Sequence, residues 1–105
     1  MGVIPEVYIM NKIEILDILK NKKQEIEQQF EVSKIGLFGS YAKDMQTEDS
    51  DIDFYVEFQK KSFDNLAGLW VYLEELYPKK VDIFHKHKNN NQVIISNIQK
   101  EVMYG

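Results

Sequence analysis

Two short stretches carry residue types that could do phosphate chemistry. Gly39-Ser40 closes one apolar run, and Asp51-x-Asp53 opens another. Glycine lets the backbone turn sharply and lets a phosphate come close. If a helix opens directly after such a turn, its first N–H groups are unpaired and point at the anion. Ser40 adds a hydroxyl. By itself a Gly-Ser pair is an ordinary turn.

The aspartates are the stronger signal. Strand residues two apart share a face, so Asp51 and Asp53 stand side by side. Neighbouring carboxylates repel, and one pKa rises unless a cation lies between them. A hard divalent cation such as Mg²⁺ resolves that conflict and brings phosphate oxygens as further ligands. A solvated strand face would also explain the pair. However, aspartate is a poor strand former, and these two head a run, through Val56, that is otherwise aromatic and β-branched. Asp82 sits alone in Val81-Asp82-Ile83-Phe84 and faces opposite to Val81 and Ile83. If its strand lies beside the one at 51–58, Asp82 can approach the pair. There it could bind metal or accept a proton from an attacking hydroxyl. An outward-facing strand residue explains Asp82 equally well when it is taken singly.

The elements that must position these residues follow from periodicity. Lys12 to Phe30 is helical, with Ile13, Leu16, Leu19, Ile26 and Phe30 near 3.6-residue spacing. Asn11 can cap its start. Val32 to Phe38 reads as a buried strand, and Ser40 to Lys43 as the opening of a short helix. Asp44 to Ser50 is a polar loop. Asp51 to Phe58 alternates, with Ile52, Phe54, Val56 and Phe58 on one face and Asp51, Asp53, Tyr55 and Glu57 on the other. Phe63 to Tyr77 is a helix stopped by Pro78. Lys80 to Phe84 is a third strand, and Gln92 to Tyr104 a closing helix. The expected fold is α/β (α+β): a small mixed sheet of three or more strands flanked by helices. Residues 1–11 read as an N-terminal tail and 12–105 as one domain.

Composition narrows the function classes. The chain has 105 residues, a net charge of −4 and no cysteine. Disulfides, thiolate metal sites and a cysteine nucleophile are excluded, which fits a reducing cytoplasm. The acidic balance argues against gripping a nucleic-acid backbone. No apolar run approaches the ~20 residues that span a membrane, and the first residues do not read as a signal peptide.

The stretches Gly39-Ser40-Tyr41-Ala42-Lys43-Asp44 and Ser50-Asp51-Ile52-Asp53-Phe54-Tyr55-Val56 resemble the signature of the DNA polymerase β-like nucleotidyltransferases. The small minimal-nucleotidyltransferase (MNT) branch is the nearest match. The resemblance covers residues 12–105 and includes the Val-Asp-hydrophobic strand at 81–83. It implies that Gly39, Ser40, Lys43 and Ser50 bind the nucleotide. It also implies that Asp51, Asp53 and Asp82 are catalytic and hold Mg²⁺, with two ions. ATP would be the substrate, and a HEPN-domain toxin the partner, adenylylated on a tyrosine. A second possibility is an antitoxin of this fold that neutralises its partner by contact, with weak or no catalysis. The feature that favours it is Lys43-Asp44, where the family usually has Arg-Gly. Lysine loses the bidentate fork, and Asp44 replaces a glycine.

Other residues have plainer expectations. His85 and His87 lack further ligands for a metal site. Phe63, Trp70 and Leu73 read as core. Tyr41 could flank the nucleotide. Tyr8 and Tyr104 are either partner-facing or frayed, and Lys20 to Lys23 is a solvated helix face.

Overall fold

The computed structural model describes residues 10–86 and 91–104. Three helices and a three-stranded mixed sheet make up the fold. Helix α1 spans Lys12–Phe30, strand β1 Val32–Phe38, strand β2 Ile52–Phe58, helix α2 Phe63–Leu76, strand β3 Val81–His85 and helix α3 Gln92–Glu101.

Helix α1 begins where a capping box fixes it. The Asn11 side chain accepts from the Glu14 amide at 2.9 Å, and the Glu14 carboxylate accepts from the Asn11 amide at 3.1 Å. Two otherwise orphaned amides are thereby satisfied. The helix stops at Glu31, which takes a left-handed conformation with φ 53°. That turn sends the chain straight into β1.

The strand order is β1-β2-β3, with β1 antiparallel to β2 and β2 parallel to β3. The parallel pair requires a crossover, and α2 supplies it. Ile35, Leu37, Ile52, Phe54, Val56, Val81 and Ile83 are buried against Ile15, Leu19 and Ile26 of α1 and Leu69 and Leu73 of α2. Two polar side chains tie the helices down. The Tyr77 hydroxyl donates to the Ile15 carbonyl at 2.9 Å, and the Trp70 indole donates to the Val81 carbonyl at 2.9 Å. Met10, at the edge of the region expected to be a tail, is buried in this core.

Four expectations need correction. First, Ser40 to Lys43 is a run of turns and not a helix. The Lys43 amide donates to Gly39 and the Met45 amide to Ser40, and Asp44 then takes φ 57°, which ends the turn before it can propagate. Second, α3 stops at Glu101 and does not run to Tyr104. Val102 is extended, and Met103 exchanges two 2.8 Å backbone hydrogen bonds with Leu37. The chain end therefore covers the free edge of β1. Third, Ile13 is 67% and Phe63 83% exposed. Ile15 takes the buried row of α1, two residues out of phase with Ile13. Phe63 is the first residue of α2, so no preceding turn lies beneath it. Fourth, β3 is shifted by one residue, starting at Val81 and including His85. Among the described residues no helix is long and apolar enough to cross a membrane.

Gly36 is what admits the chain end. A Cβ there would lie 2.4 Å from Val102 Cγ1 and 2.9 Å from the Met103 carbonyl oxygen. Gly36→Ala is expected to destabilise the fold by about 1–3 kcal/mol, the usual range for forcing atoms into filled space. The bridge between Leu37 and Met103 should open first. Amide exchange at Met103 rising more than at Ile35 or Val56 checks this, and a uniform rise would contradict it.

Candidate active site

The antiparallel register sets Phe38 opposite Asp53, so Gly39 leaves β1 beside the Asp53 side chain. Gly39 has φ +77°, a conformation that favours glycine. It is also required by space. A Cβ at this position would lie 2.3 Å from Asp53 Oδ2 and 3.1 Å from its Cγ. Ser40 follows, and its hydroxyl has no hydrogen-bond partner among the described residues. Among the described residues the Ser40, Tyr41 and Ala42 amides donate to no backbone carbonyl, whereas the Lys43, Asp44 and Met45 amides close the turn behind them. A row of unpaired amides in a glycine turn is an anion-binding concavity.

The parallel register then sets Asp53 opposite Asp82. Asp51 stands just ahead of β2, half-buried like Asp53, and Asp82 is exposed. The Ile83 amide donates to Asp82 Oδ1 at 3.1 Å. All three aspartates named from the sequence thus come to one end of the sheet, where β1 ends and β2 and β3 begin, next to the Gly39 turn. Burial, together with the charges of Asp82 and Asp51, pushes the Asp53 carboxyl up to about 6.

The neighbourhood is short of positive charge. The ion pairs among the described residues are Lys12 with Asp44 at 3.1 Å and Lys43 with Glu101 at 3.0 Å, and neither includes the three aspartates. A divalent cation would relieve the repulsion that raises Asp53. Among the described residues no three His, Asp or Glu side chains enclose a metal position by themselves. The donor set still fits Mg²⁺, which is usually held by one or two carboxylates and completed by phosphate oxygens and water.

The remaining candidates fall into place unevenly. Lys43 is near the turn but engaged by Glu101 of α3, a partner with no signal in the sequence. Ser50 accepts from the Thr47 amide at 2.9 Å and so braces the loop that leads into Asp51. Asp44 adopts the left-handed conformation a glycine would take, and its carboxylate is held by Lys12. Tyr41 does not flank an open site, because its side chain is fully buried in the core. Trp70 and Leu73 pack as core residues, and Phe63 does not. Tyr104 is partly exposed, with the Lys23 ammonium 5.9 Å from its ring centroid. His85 sits at the end of β3, its ring 6.5 Å from that of Phe58. Tyr8 and His87 lie outside the described residues.

The chain is similar to known proteins in sequence and in fold. The family described as polymerase beta, nucleotidyltransferase, matches residues 14–104. A Methanocaldococcus jannaschii protein, MJ1379, provisionally named a protein adenylyltransferase, is 38% identical over 94 residues, covering 87% of this chain and 94% of its own. A solved structure described provisionally as a minimal nucleotidyltransferase superposes with a TM-score of 0.76 at 23% identity, covering 92% of this chain and 98% of the other. A toxin–antitoxin complex solved with AMP-PNP contains a chain of the same fold, with a TM-score of 0.61 at 21% identity, covering 90% of this chain and 71% of the other. The chain belongs to the polymerase β nucleotidyltransferase family.

The raised Asp53 has a pH signature. Its pKa of about 6 lies above the ordinary 3.8, so the folded state holds this proton more tightly than the unfolded chain does. The resulting stability is fully present below about pH 4 and is lost as pH rises through 6. That rise corresponds to about 3 kcal/mol, and solvent screening of a half-exposed group reduces this to about 1–2 kcal/mol. Asp53→Asn is therefore expected to be the more stable protein at pH 8 and nearly equal to the parent at pH 4. Urea midpoints at the two pH values measure this. A pH-independent difference would contradict it.

Proposed function

We propose that this polymerase β-family nucleotidyltransferase transfers AMP from ATP to a tyrosine hydroxyl of a HEPN-domain toxin partner, and so acts as an antitoxin. The observation that carries the proposal is the contact of Gly39 with the Asp53 carboxylate. It brings an anion-accepting turn and a cation-seeking cluster to one spot, which is what a metal–triphosphate needs. The relative named as a protein adenylyltransferase supports the choice of AMP and of a protein acceptor. The toxin–antitoxin complex with an ATP analogue supports the choice of ATP and of a toxin partner. A cytoplasmic setting, where ATP is available, fits this role.

The residues take distinct roles. The Ser40, Tyr41 and Ala42 amides and the Ser40 hydroxyl hold the triphosphate. Asp51 and Asp53 would hold Mg²⁺, with Asp82 beside them. Bound there, the ion would neutralise phosphate charge and orient the leaving group. The acceptor oxygen attacks the α-phosphorus in line, and the bond to the bridging oxygen of the β-phosphate breaks. Pyrophosphate leaves, and the acceptor proton passes to the Asp82 carboxylate. Lys43 can join the triphosphate by leaving Glu101. Both side chains are well exposed, at 50% and 37%, and such surface pairs contribute only about 0–1 kcal/mol. Ser50 acts through the loop that aims Asp51.

The reading of this fold as a contact-only antitoxin drew on Asp44 in place of glycine. With Asp44 already in the glycine-like conformation and paired to Lys12, that departure leaves the turn intact. Catalysis is the better-supported alternative.

The test uses the full chain, Mg²⁺, α-labelled ATP and the co-encoded HEPN protein. Label is expected on a tyrosine of the partner. Asp51→Ala/Asp53→Ala should lower the transfer rate by on the order of 100-fold or more. Absence of label, with the double variant still neutralising the toxin, would sink the enzymatic reading.

A further inference from the structure

Among the described residues three tyrosines are buried, and two of them have partners for their hydroxyls. Tyr55 donates to Glu57 at 2.6 Å, and Tyr77 donates to the Ile15 carbonyl at 2.9 Å. Tyr41 is the exception. Its side chain is 0% exposed, and its hydroxyl has no hydrogen-bond partner among the described residues. A buried hydroxyl without a partner lowers stability, so such groups are rare and call for an explanation.

The surroundings narrow what the missing partner is. Tyr41 follows the Gly39-Ser40 turn, and Gly39 touches the Asp53 carboxylate. The ring is fixed in the core cluster, so the hydroxyl cannot swing out to solvent. The charge that acts on it is that of Asp51, which adds to the effect of burial in raising its pKa. Asp51 lies ahead of β2, outside the strand ladder that fixes Asp53.

We propose that Tyr41 is a positioning residue, whose hydroxyl donates a hydrogen bond to the Asp51 carboxylate when that carboxylate turns to hold Mg²⁺ and the triphosphate. The inference rests on the reading of Asp51 as a metal-holding residue. A carboxylate fixed through one oxygen presents the other in a defined direction, as partners behind ligands commonly arrange. The folded protein carries an unmet hydroxyl until ligand binding supplies its acceptor.

Tyr41→Phe separates this from a purely structural role, because it keeps the ring and removes only the hydroxyl. Three quantities are measured on the full chain: the melting temperature without ligand, the Kd for Mg²⁺ with AMP-PNP by calorimetry, and the same Kd in an Asp51→Ala background. Without ligand, Tyr41→Phe is expected to melt at the same temperature as the parent or roughly 1–5 °C higher. With ligand, its Kd should be roughly 5–10-fold weaker. In the Asp51→Ala background, Tyr41→Phe should change Kd by less than about twofold, since the partner is already gone. A lower melting temperature would mean that the hydroxyl is already bonded in the free protein, and would overturn the proposal. An unchanged Kd, or the same loss in both backgrounds, would also overturn it. If Asp51→Ala weakens binding and Tyr41→Phe does not, the positioning role alone falls. If Asp51→Ala binds as tightly as the parent, the metal–triphosphate reading falls and takes this inference with it.

Discussion

The site depends on one close contact, between the backbone at Gly39 and the carboxylate of Asp53. The antiparallel register of β1 and β2 creates it by placing Phe38 opposite Asp53. No side chain of any kind fits between the two. That lets the Asp53 carboxylate sit against the turn that carries the unpaired amides. The arrangement is frustrated in the free protein. Burial and two neighbouring carboxylates push the Asp53 carboxyl up to about 6, and among the described residues no lysine pairs with it. Folding energy from the core holds this frustrated cluster in place.

The core sits on one face of the sheet, and the cluster lies at one end of its strands. Ile52, Phe54 and Val56 alternate with Asp53 and Tyr55 along β2. The same strand therefore supplies the packing and the chemistry. Helix α2 carries the chain from β2 to β3 and sets Asp82 opposite Asp53. A one-residue slip in that pairing would turn Asp82 to the buried side, so the helix also fixes the site's register. The chain end makes a second, independent contribution. It closes the free edge of β1 through Met103, and Glu101 reaches Lys43 beside the turn.

Much of this was legible in the sequence because it depends on periodicity. The limits of α1 and β1 and the alternation of β2 follow from spacings of two or 3.6 residues, whereas the approach of Asp82 to Asp53 needed β3 to pair beside β2, which the structure supplies. The family signature covers the same residues. What periodicity did not reveal depends on tertiary contact. Gln92 to Tyr104 reads as one amphipathic helix, and only the edge of β1 makes its last residues extended. Tyr41 looks like a side chain that flanks a ligand, yet the core takes it in. Asp44 looks like a damaging departure from glycine. Aspartate tolerates the left-handed conformation better than most residues, and Lys12, more than thirty residues away, engages its carboxylate. Ile13 and Phe63 are apolar and near the right phase, but the helices turn them outward.

The central claim is that the Gly39 turn and the aspartate cluster together accept a cation with a triphosphate. The most direct measurement is the titration of the Asp53 carboxyl by NMR, first in the free protein and then with Mg²⁺ and AMP-PNP. The account predicts a midpoint near 6 in the free protein. With the ligands bound, the midpoint should fall by about two units or more, since an adjacent cation favours the charged form. A midpoint that stays near 6 when the ligands are bound would contradict it.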